Sequence, residues 1–414
     1  MTCQQNLFPT KWSMAIFIAM VILAGGVLAV GQTERVVYRF HGGNDGQGPL
    51  GGLISDNAGN LYGTTSESDA SSGTVFQLSP SVGQGGHWTK TILYTFTGGN
   101  DGGDPYGELV FDQAGNLYGT TLFGGTADKG TIFQLKPLGS TWTETVIYSF
   151  NDQPPQYGGL VFDKAGNLYG ATCADAENRA GTVFQLTLSQ GGWTTKVIHA
   201  FGGRQGGCPS SGPIIGRAGN LYGLIAYTGK GSYGGAYELR APATKGGNWT
   251  YRLLHIFQGS GDGAYPAGRL MLDRNGNLNG VTQLGGSSNM GTVFQLTRQG
   301  TSWAEAVLYS FCAQSSCFDG AQPQAGLISD GKGNLYGTTP EDGSGGGGTV
   351  FQLTPPAVQG DPWTETVLHH FTGQGGDGAF PVAPLLREKF GTLWSTTSAG
   401  GGAADGGTVF KILP

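Results

Sequence analysis

The sequence predicts an all-β fold, a seven-bladed β-propeller of four-stranded blades in which the N-terminal strand closes the ring by pairing with the last blade. Three observations lead to this prediction. A unit of roughly 55 residues recurs seven times, each unit consists of four short apolar runs separated by turn residues, and the strand missing from the last unit stands alone before the first. Because a closed ring leaves no unpaired sheet edge, this placement of the missing strand at the opposite end of the chain indicates a closed ring and not an open stack of units.

The first half of each unit predicts two strands, a and b, joined by a tight turn. A short apolar run such as Leu109-Val110-Phe111 precedes the segment Asp-x-x-Gly-Asn-Leu-Tyr-Gly. An aspartate that opens a turn accepts backbone N–H bonds, and the following glycine allows a positive φ, so we assign these aspartates to the turn. The segment occurs at residues 56–63, 112–119, 163–170 and 330–337, with weaker copies at 216–223, 273–280 and 391–394.

The second half of each unit predicts strands c and d. Strand c is Gly-Thr-Val-Phe-Gln-Leu or a variant, starting at residues 73, 130, 181, 235, 291, 348 and 407. Strand d ends in Tyr/His-x-Phe, and bulky residues on both of its faces, as in Val146-Ile147-Tyr148, indicate a strand covered on both sides. The seven terminal phenylalanines are Phe40, Phe96, Phe150, Phe201, Phe257, Phe311 and Phe371.

The order of the units predicts how the ring closes. Residues 34–40 form a strand d without a blade, and residues 408–412 form a strand c that no strand d follows. We therefore expect one propeller over residues 33–414, with Val36 to Phe40 beside Val409. The expected blades are 50–97, 107–150, 157–201, 212–257, 267–311, 325–371, and 382–413 plus 34–40.

Residues 1–29 are typical of a secretory signal peptide. Lys11 is followed by an uncharged apolar run over residues 13–30, and Val27-Leu28-Ala29 forms a small-residue cleavage site. The apolar run is long enough that an uncleaved membrane anchor remains the alternative. Either way, we expect an exported protein in the periplasm, on the cell surface or in the medium.

The cysteines predict two disulfides. Cys3 belongs to the export signal, which leaves four of the five cysteines. In an oxidising compartment Cys312 and Cys317 are close enough in sequence to clip one loop, and Cys173 and Cys208 fall on one face of the predicted fold. With no CxxC pair and no histidine beside them, we predict no metal centre at these cysteines.

The charge pattern excludes one class of partner. Charged residues make up 12% of the chain and the formal net charge is −6, so no basic footprint for nucleic acid or an anionic membrane is present. We expect a monomer that contacts a membrane only through its N-terminal segment, if that segment is uncut.

The loops from strand d to the next strand a hold the candidate ligand-binding residues. Five of these loops repeat an Asp-Gly pair followed by a proline, and a propeller places such loops on one face, around the channel mouth. Their carboxylates would attract a cation or hydrogen-bond a polyol; the alternative is that each one caps its own turn. The five residues are Asp45, Asp101, Asp262, Asp319 and Asp377.

The sequence shows no catalytic constellation. His199, His255 and His369 occupy the tyrosine position of strand d, a structural place, and His41, His87 and His370 are scattered. We therefore expect a non-enzymatic binding module with no cofactor, calcium being left open, and with a glycan or an envelope protein as partner. The alternatives are an extracellular polysaccharide-active hydrolase or lyase, which needs paired acids in the channel, and a purely structural envelope protein.

The complete unit resembles the GloVer-type tandem repeat of exported bacterial proteins. The matching pieces are Asp-Gly-x-x-Pro, Asp-x-x-Gly-Asn-Leu-Tyr-Gly-Thr-Thr, a Gly-Gly loop such as Phe123-Gly124-Gly125, and Gly-Thr-Val-Phe-Gln-Leu. The resemblance covers nearly everything after residue 33. It implies a propeller-like repeat architecture and, because that family has no established activity, transfers no catalytic residue.

Overall fold

The computed structural model describes residues 33–66, 72–81, 87–155, 159–173, 181–202, 206–228, 233–244, 246–341, 345–358 and 360–413. The chain divides into Met1–Gly31 and Gln32–Pro414, and the signal-peptide prediction falls on the first part, outside the described residues. Within the described ranges, no helix has the length and apolar character needed to cross a membrane.

The described strands of Gln32–Pro414 form seven antiparallel blades in a ring, which confirms the predicted fold class. In blades 1 to 6 the chain passes from the innermost strand a to the outermost strand d, and in blade 7 the N-terminal strand supplies strand d. Blade 1 comprises β2 (Ile54–Ser55), β3 (Leu61–Thr65), β4 (Thr74–Pro80) and β5 (Trp88–Thr95); blade 2 comprises β6 (Val110–Phe111), β7 (Leu117–Thr120), β8 (Thr131–Leu138) and β9 (Thr141–Ser149); blade 3 comprises β10 (Val161–Phe162), β11 (Leu168–Cys173), β12 (Gly181–Ser189) and β13 (Gly192–Ala200).

The remaining blades follow the same plan with small additions. Blade 4 comprises β14 (Gly207–Pro209), β15 (Ile214–Ile215), β16 (Leu221–Tyr227), β17 (Gly235–Arg240) and β18 (Thr250–Ile256); blade 5 comprises β19 (Ala264–Leu272), β20 (Leu278–Leu284), β21 (Thr292–Gln299) and β22 (Ser302–Ser310); blade 6 comprises β23 (Ile328–Ser329), β24 (Leu335–Thr339), β25 (Thr349–Thr354) and β26 (Thr364–His370); blade 7 comprises β28 (Leu386–Arg387), β29 (Leu393–Thr397), β31 (Thr408–Ile412) and β1 (Glu34–Arg39), and β27 (Gly378–Ala379) pairs with β30 (Ala399–Gly400) beside it.

The N-terminal strand completes blade 7, as predicted. β1 pairs antiparallel with β31 from Glu34 opposite Ile412 to Arg39 opposite Thr408. The register shifts once, between Val36 and Tyr38. The pairs of strands c and d in the other six blades shift at the corresponding place, so the closing pair has the same bulge and twist as a pair within continuous chain.

Packing between neighbouring blades builds the core. The phenylalanine that ends each strand d meets the aromatic ring of strand c in the next blade, edge to face, with ring centroids 4.9 to 5.6 Å apart. Because the seventh contact joins blade 7 to blade 1, each blade is covered on both sides. The pairs are Phe40–Phe76, Phe96–Phe133, Phe150–Phe184, Phe201–Tyr237, Phe257–Phe294, Phe311–Phe351 and Phe371–Phe410.

A glycine in strand b makes room for these rings. A Cβ on Gly119 would lie 2.5 Å from Cζ of Phe133, so no larger residue fits without moving the ring. In blade 7, Ser395 occupies the corresponding position, and its hydroxyl donates to the carbonyl oxygens of Ala383 and Pro384.

The aspartates of the a-to-b turns act as turn caps, which confirms their assignment. Asp112 accepts hydrogen bonds from the backbone of Ala114 and Asn116 at 2.8 and 2.9 Å and from the Tyr118 hydroxyl at 3.1 Å. Burial opposes ionisation of Asp112, but these hydrogen bonds outweigh it and lower the pKa of its carboxyl. The same bonds form around Asp56 and Asp163.

Both predicted disulfides are present. Cys173 in β11 bonds to Cys208 in β14, which ties blade 3 to the loop that enters blade 4. Cys312 and Cys317 close the loop between blades 5 and 6. Each bridge therefore fixes a connection between neighbouring blades.

We expect Phe40→Ala to lower the free energy of unfolding by about 3–5 kcal/mol, because Phe40 is buried at the contact that closes the ring. The matched control is Phe390→Ala, whose ring is 91% exposed and whose loss should change stability by no more than about 0.5 kcal/mol. Chemical denaturation of both variants measures the difference. Equal denaturation midpoints would show that the closing contact contributes nothing.

Candidate functional site

A cavity of about 900 Å³ lies on the axis of the ring. Its wall is formed mainly by strands a and by the residues that lead into them, and all seven blades contribute. This volume suits a small ligand, and a largely pre-formed concave site is the usual place for one.

One position of strand a lies at the axis of the ring, and the side chain there decides how much of the space at the axis is filled. In each strand a, one residue pairs with the tyrosine position of strand b, and the axial position lies two residues before it. In five blades the axial position holds glycine or proline. The remaining two positions hold long charged side chains, Glu108 in blade 2 and Arg269 in blade 5. The seven occupants are Gly52, Glu108, Gly159, Gly212, Arg269, Gly326 and Pro384.

Glu108 and Arg269 meet as an ion pair. Nη1 of Arg269 donates to Oε2 of Glu108 at 2.9 Å, and both side chains are about three-quarters buried. Nη2 of Arg269 also donates to the carbonyl oxygens of Leu160 and Pro213, at 3.5 and 3.2 Å. The guanidinium thereby joins four blades.

Glycine leaves the space that this pair needs. A Cβ on Gly52 would lie 2.7 Å from Oε1 of Glu108, and a Cβ on Gly159 would lie 3.1 Å from Nη1 of Arg269. Sequence reasoning did not single out either charged residue. An alignment of the seven repeats would have revealed them, because two opposite charges occupy a position that otherwise holds glycine or proline.

Aromatic side chains also line the cavity. Tyr106 precedes β6, Tyr265 is the second residue of β19, and Tyr227 ends β16. The Tyr265 ring lies 6.3 Å from that of Tyr227 and 6.0 Å from that of Tyr233, which is 39% exposed. Gln283 and Gln324 add uncharged amide groups to the wall.

Tyr265 sits in an uncommon backbone conformation. Its φ is 55°, and in four other loops the residue before the same proline also has a left-handed φ. The N–H of Tyr265 donates to the carbonyl of Tyr233 at 2.7 Å, so a bond to the preceding blade holds the conformation. The four equivalents are Asp104, Cys208, Gln322 and Phe380.

The five predicted ligand-binding aspartates lie beside the outermost strands. Asp101 accepts from the backbone N–H of Thr97 at 2.9 Å and from the hydroxyl of Tyr94, in strand d, at 3.0 Å. Asp262 accepts from the N–H of Gln258 at 2.8 Å and lies 3.0 Å from Nε2 of His255. The same pattern of a turn N–H plus a strand-d Tyr or His surrounds Asp45, Asp319 and Asp377.

These carboxylates are therefore not brought together. Each belongs to a different blade boundary, and the cavity wall is made of other residues. Hydrogen bonds to their own turns account for their geometry, and their predicted role in ligand binding stays a prediction.

One group of the described residues has donor atoms close enough to hold a metal ion. The carboxylate oxygens of Glu34 and Asp377 and a ring nitrogen of His369 lie within 4.8 Å of one another. Calcium prefers oxygen ligands alone, whereas an imidazole with two carboxylates suits a transition metal.

The family is established by its repeat. The model of the Gloeobacter/Verrucomicrobia repeat matches residues 27–237 and again residues 209–414. The chain belongs to this family. The GloVer-type resemblance is thereby confirmed, and the matches together span almost all of the propeller of this Gloeobacter/Verrucomicrobia repeat protein.

Solved structures share the fold at low identity. The extracellular domain of a proposed one-component system from B. thetaiotaomicron is 12% identical, with 91% of this chain and 40% of that chain covered and a TM-score of 0.56. A proposed 6-phosphogluconolactonase from Bacteroides fragilis is 14% identical, with 86% of this chain and 98% of that chain covered and a TM-score of 0.52. A search of the curated proteins found no match. At these identities the likeness shows the fold alone.

We expect the axial ion pair to couple the blades energetically. In a double-mutant cycle of Glu108→Ala, Arg269→Ala and the double variant, the two single costs should sum to about 1–2 kcal/mol more than the double cost, because each single change leaves a largely buried charge without its partner. Denaturation of the four proteins measures this coupling. Strictly additive costs would contradict it.

Proposed function

We propose that this Gloeobacter/Verrucomicrobia repeat protein is an exported binding module that holds a carbohydrate in its axial cavity and does not catalyse its cleavage. The observation that carries the proposal is the cavity wall. Its lining includes three tyrosines, two glutamine side chains and the ion pair of Glu108 and Arg269, whose charges neutralise each other.

The wall has the chemistry of a neutral sugar site. A tyrosine offers a flat apolar face together with a hydroxyl, which matches the apolar ring face and the hydroxyl edge of a pyranose. Glutamine supplies both a donor and an acceptor to sugar hydroxyls. An uncharged wall favours a neutral glycan over an acidic one, since a carboxylate would have to compete with Glu108 for Arg269.

Binding is favoured over turnover by the number of acids. Glycoside hydrolysis ordinarily uses two carboxyl groups on either side of the scissile bond. Among the described residues that line the cavity, Glu108 supplies the single carboxylate, and Arg269 holds it at 2.9 Å. A group held in this way is poorly placed to act as an acid or a nucleophile.

Export is supported by the two disulfides, because such bonds form and persist outside the reducing cytosol. We propose a monomer that meets glycan or an envelope component with the face carrying Tyr106 and Tyr265. The five loop aspartates support this face, since each holds the loop that leads into the next strand a.

We expect a panel of short neutral oligosaccharides, screened on an array and titrated by calorimetry, to contain a ligand. Tyr265→Ala and Tyr106→Ala should each weaken its binding at least about fivefold, because loss of one stacking ring costs about 1–3 kcal/mol by analogy with other ring-stacking sites. The control is Phe390→Ala, which removes an exposed ring from the opposite face and should leave the affinity unchanged.

Two outcomes would contradict the proposal. Affinity retained by both tyrosine variants would move the site away from the cavity, and reducing ends released from a bound polysaccharide would show turnover. A panel without any ligand would favour the structural role in the envelope.

A further inference from the structure

A single position of strand d contains a repeated ionisable residue. It lies opposite the leucine or isoleucine of strand c in every blade, so its seven occupants are structurally equivalent. The position holds a glutamate or a lysine beside all five Asp-Gly loops, whereas threonine and tyrosine stand beside the two loops that lack the pair. The occupants are Glu34, Lys90, Glu144, Thr195, Tyr251, Glu305 and Glu365.

The aspartate at such a boundary is surrounded by hydrogen-bond donors. Asp319 is fully buried, and it accepts from the Tyr309 hydroxyl at 2.7 Å and from the N–H groups of Ala313 and Gln314 at 3.0 and 3.2 Å. Three donors are therefore directed at this one carboxyl.

The boundary between blades 7 and 1 shows what such a carboxyl group attracts. Nζ of Lys90 lies 2.9 Å from Oδ1 of Asp45, and the Lys90 side chain is only 5% exposed. The same ammonium lies 4.5 Å from the centroid of the Phe40 ring. Burial opposes ionisation of Asp45, but the hydrogen bonds from Tyr38 and Lys90 outweigh it and lower the pKa of Asp45.

Three boundaries place a glutamate where Lys90 lies. Oε1 of Glu144, of Glu305 and of Glu365 is buried and has no hydrogen-bond partner in the described part of the chain. An ionised carboxylate in that position would hold one oxygen, Oε1, away from water and from donors, and a second carboxylate stands close by.

The surroundings of each glutamate are defined. Asp101 and Tyr94 face Glu144. Asp262, which His255 contacts, faces Glu305. Asp319, Tyr309 and Gln314 surround Glu365, and Nε2 of Gln314 donates to its Oε2 at 3.2 Å.

We propose that Glu144, Glu305 and Glu365 are neutral carboxylic acids in the closed ring, and that the loss of their protons weakens three blade boundaries. Glu34 is not included, because its carboxylate belongs to the group with His369 and Asp377. The propeller is then held most firmly under mildly acidic conditions.

The direction of the effect follows from proton linkage. Burial, with a smaller contribution from the facing aspartates, raises the pKa of Glu144 and Glu305 from 4.5 to about 7 and that of Glu365 to about 8. Between these values the folded protein keeps protons that the unfolded chain has released, so stability falls as the pH rises from about 4.5 to about 8. Turn-cap aspartates such as Asp112, with a lowered pKa, destabilise the fold at still lower pH.

The experiment is thermal unfolding of the full chain as a function of pH. We expect the melting temperature of the wild type to fall by about 5 °C or more from about pH 5.5 to about pH 8.5. In the triple variant E144Q/E305Q/E365Q each amide mimics the neutral acid. Its melting temperature should fall over the same pH range by no more than half as much as that of the wild type. The control Asp361→Asn removes an exposed acid and should keep the wild-type slope.

A second variant tests the position without depending on the first. Glu144→Lys reproduces the Lys90–Asp45 pair beside Asp101 and should raise the melting temperature at about pH 8.5 relative to the wild type. A wild-type melting temperature that is constant or rises over this range, or a triple variant with an unchanged slope, overturns the proposal. A fall that calcium chloride abolishes and EDTA restores also overturns it, because a cation and not a proton would then balance the carboxylates.

Discussion

The contact between the last phenylalanine of one blade and the strand-c ring of the next supports the whole structure. Phe96 packs on Phe133 and Phe40 packs on Phe76, in the same edge-to-face geometry, although the first pair joins neighbouring units and the second joins the first to the last. The core is therefore a ring of seven clusters, each shared by two blades. A blade in isolation would bury neither of its faces, so closure is a condition of stability.

The seven repeats share the same strands and turns, but the residue types differ at a few positions. These variable positions define the candidate site. Five of the seven axial positions hold glycine or proline, and Glu108 and Arg269 at the other two pair across the axis. Their ion pair lines the cavity together with Tyr106 and Tyr265, which follow Asp-Gly loops whose aspartates bind their own turns. Rigidity of the loops and variety of the displayed side chains thus come from different residues, which suits a recognition surface built on a repeat.

Substitutions among the repeats preserve interactions more often than residue types. Blade 4 has Gly216 where most units have the turn aspartate, yet a carboxylate returns on strand c as Glu238, which accepts from Asn220 and Tyr222 at 3.0 and 3.1 Å. In blade 7 a lysine replaces the strand-c glutamine, and its ammonium lies over a tryptophan in the tyrosine position, 5.2 Å from the ring centroid. The exchange of glutamate for lysine beside the Asp-Gly loops does not follow this rule, because Lys90 pairs with Asp45 whereas Glu144 faces Asp101, a second acid.

The sequence by itself determined the number of blades, their four strands, the closing strand, the turn caps and both disulfides. It could do so because strand pairing, turns and nearby cysteines depend on local pattern, and sevenfold repetition made each pattern legible. Only the tertiary structure decided what meets at the axis and at the blade boundaries. Glu108 and Arg269 are 161 residues apart, and Glu34 lies near Asp377 only because the ring closes. Such contacts depend on how far each blade is rotated about the axis, and no local pattern of residues encodes that geometry.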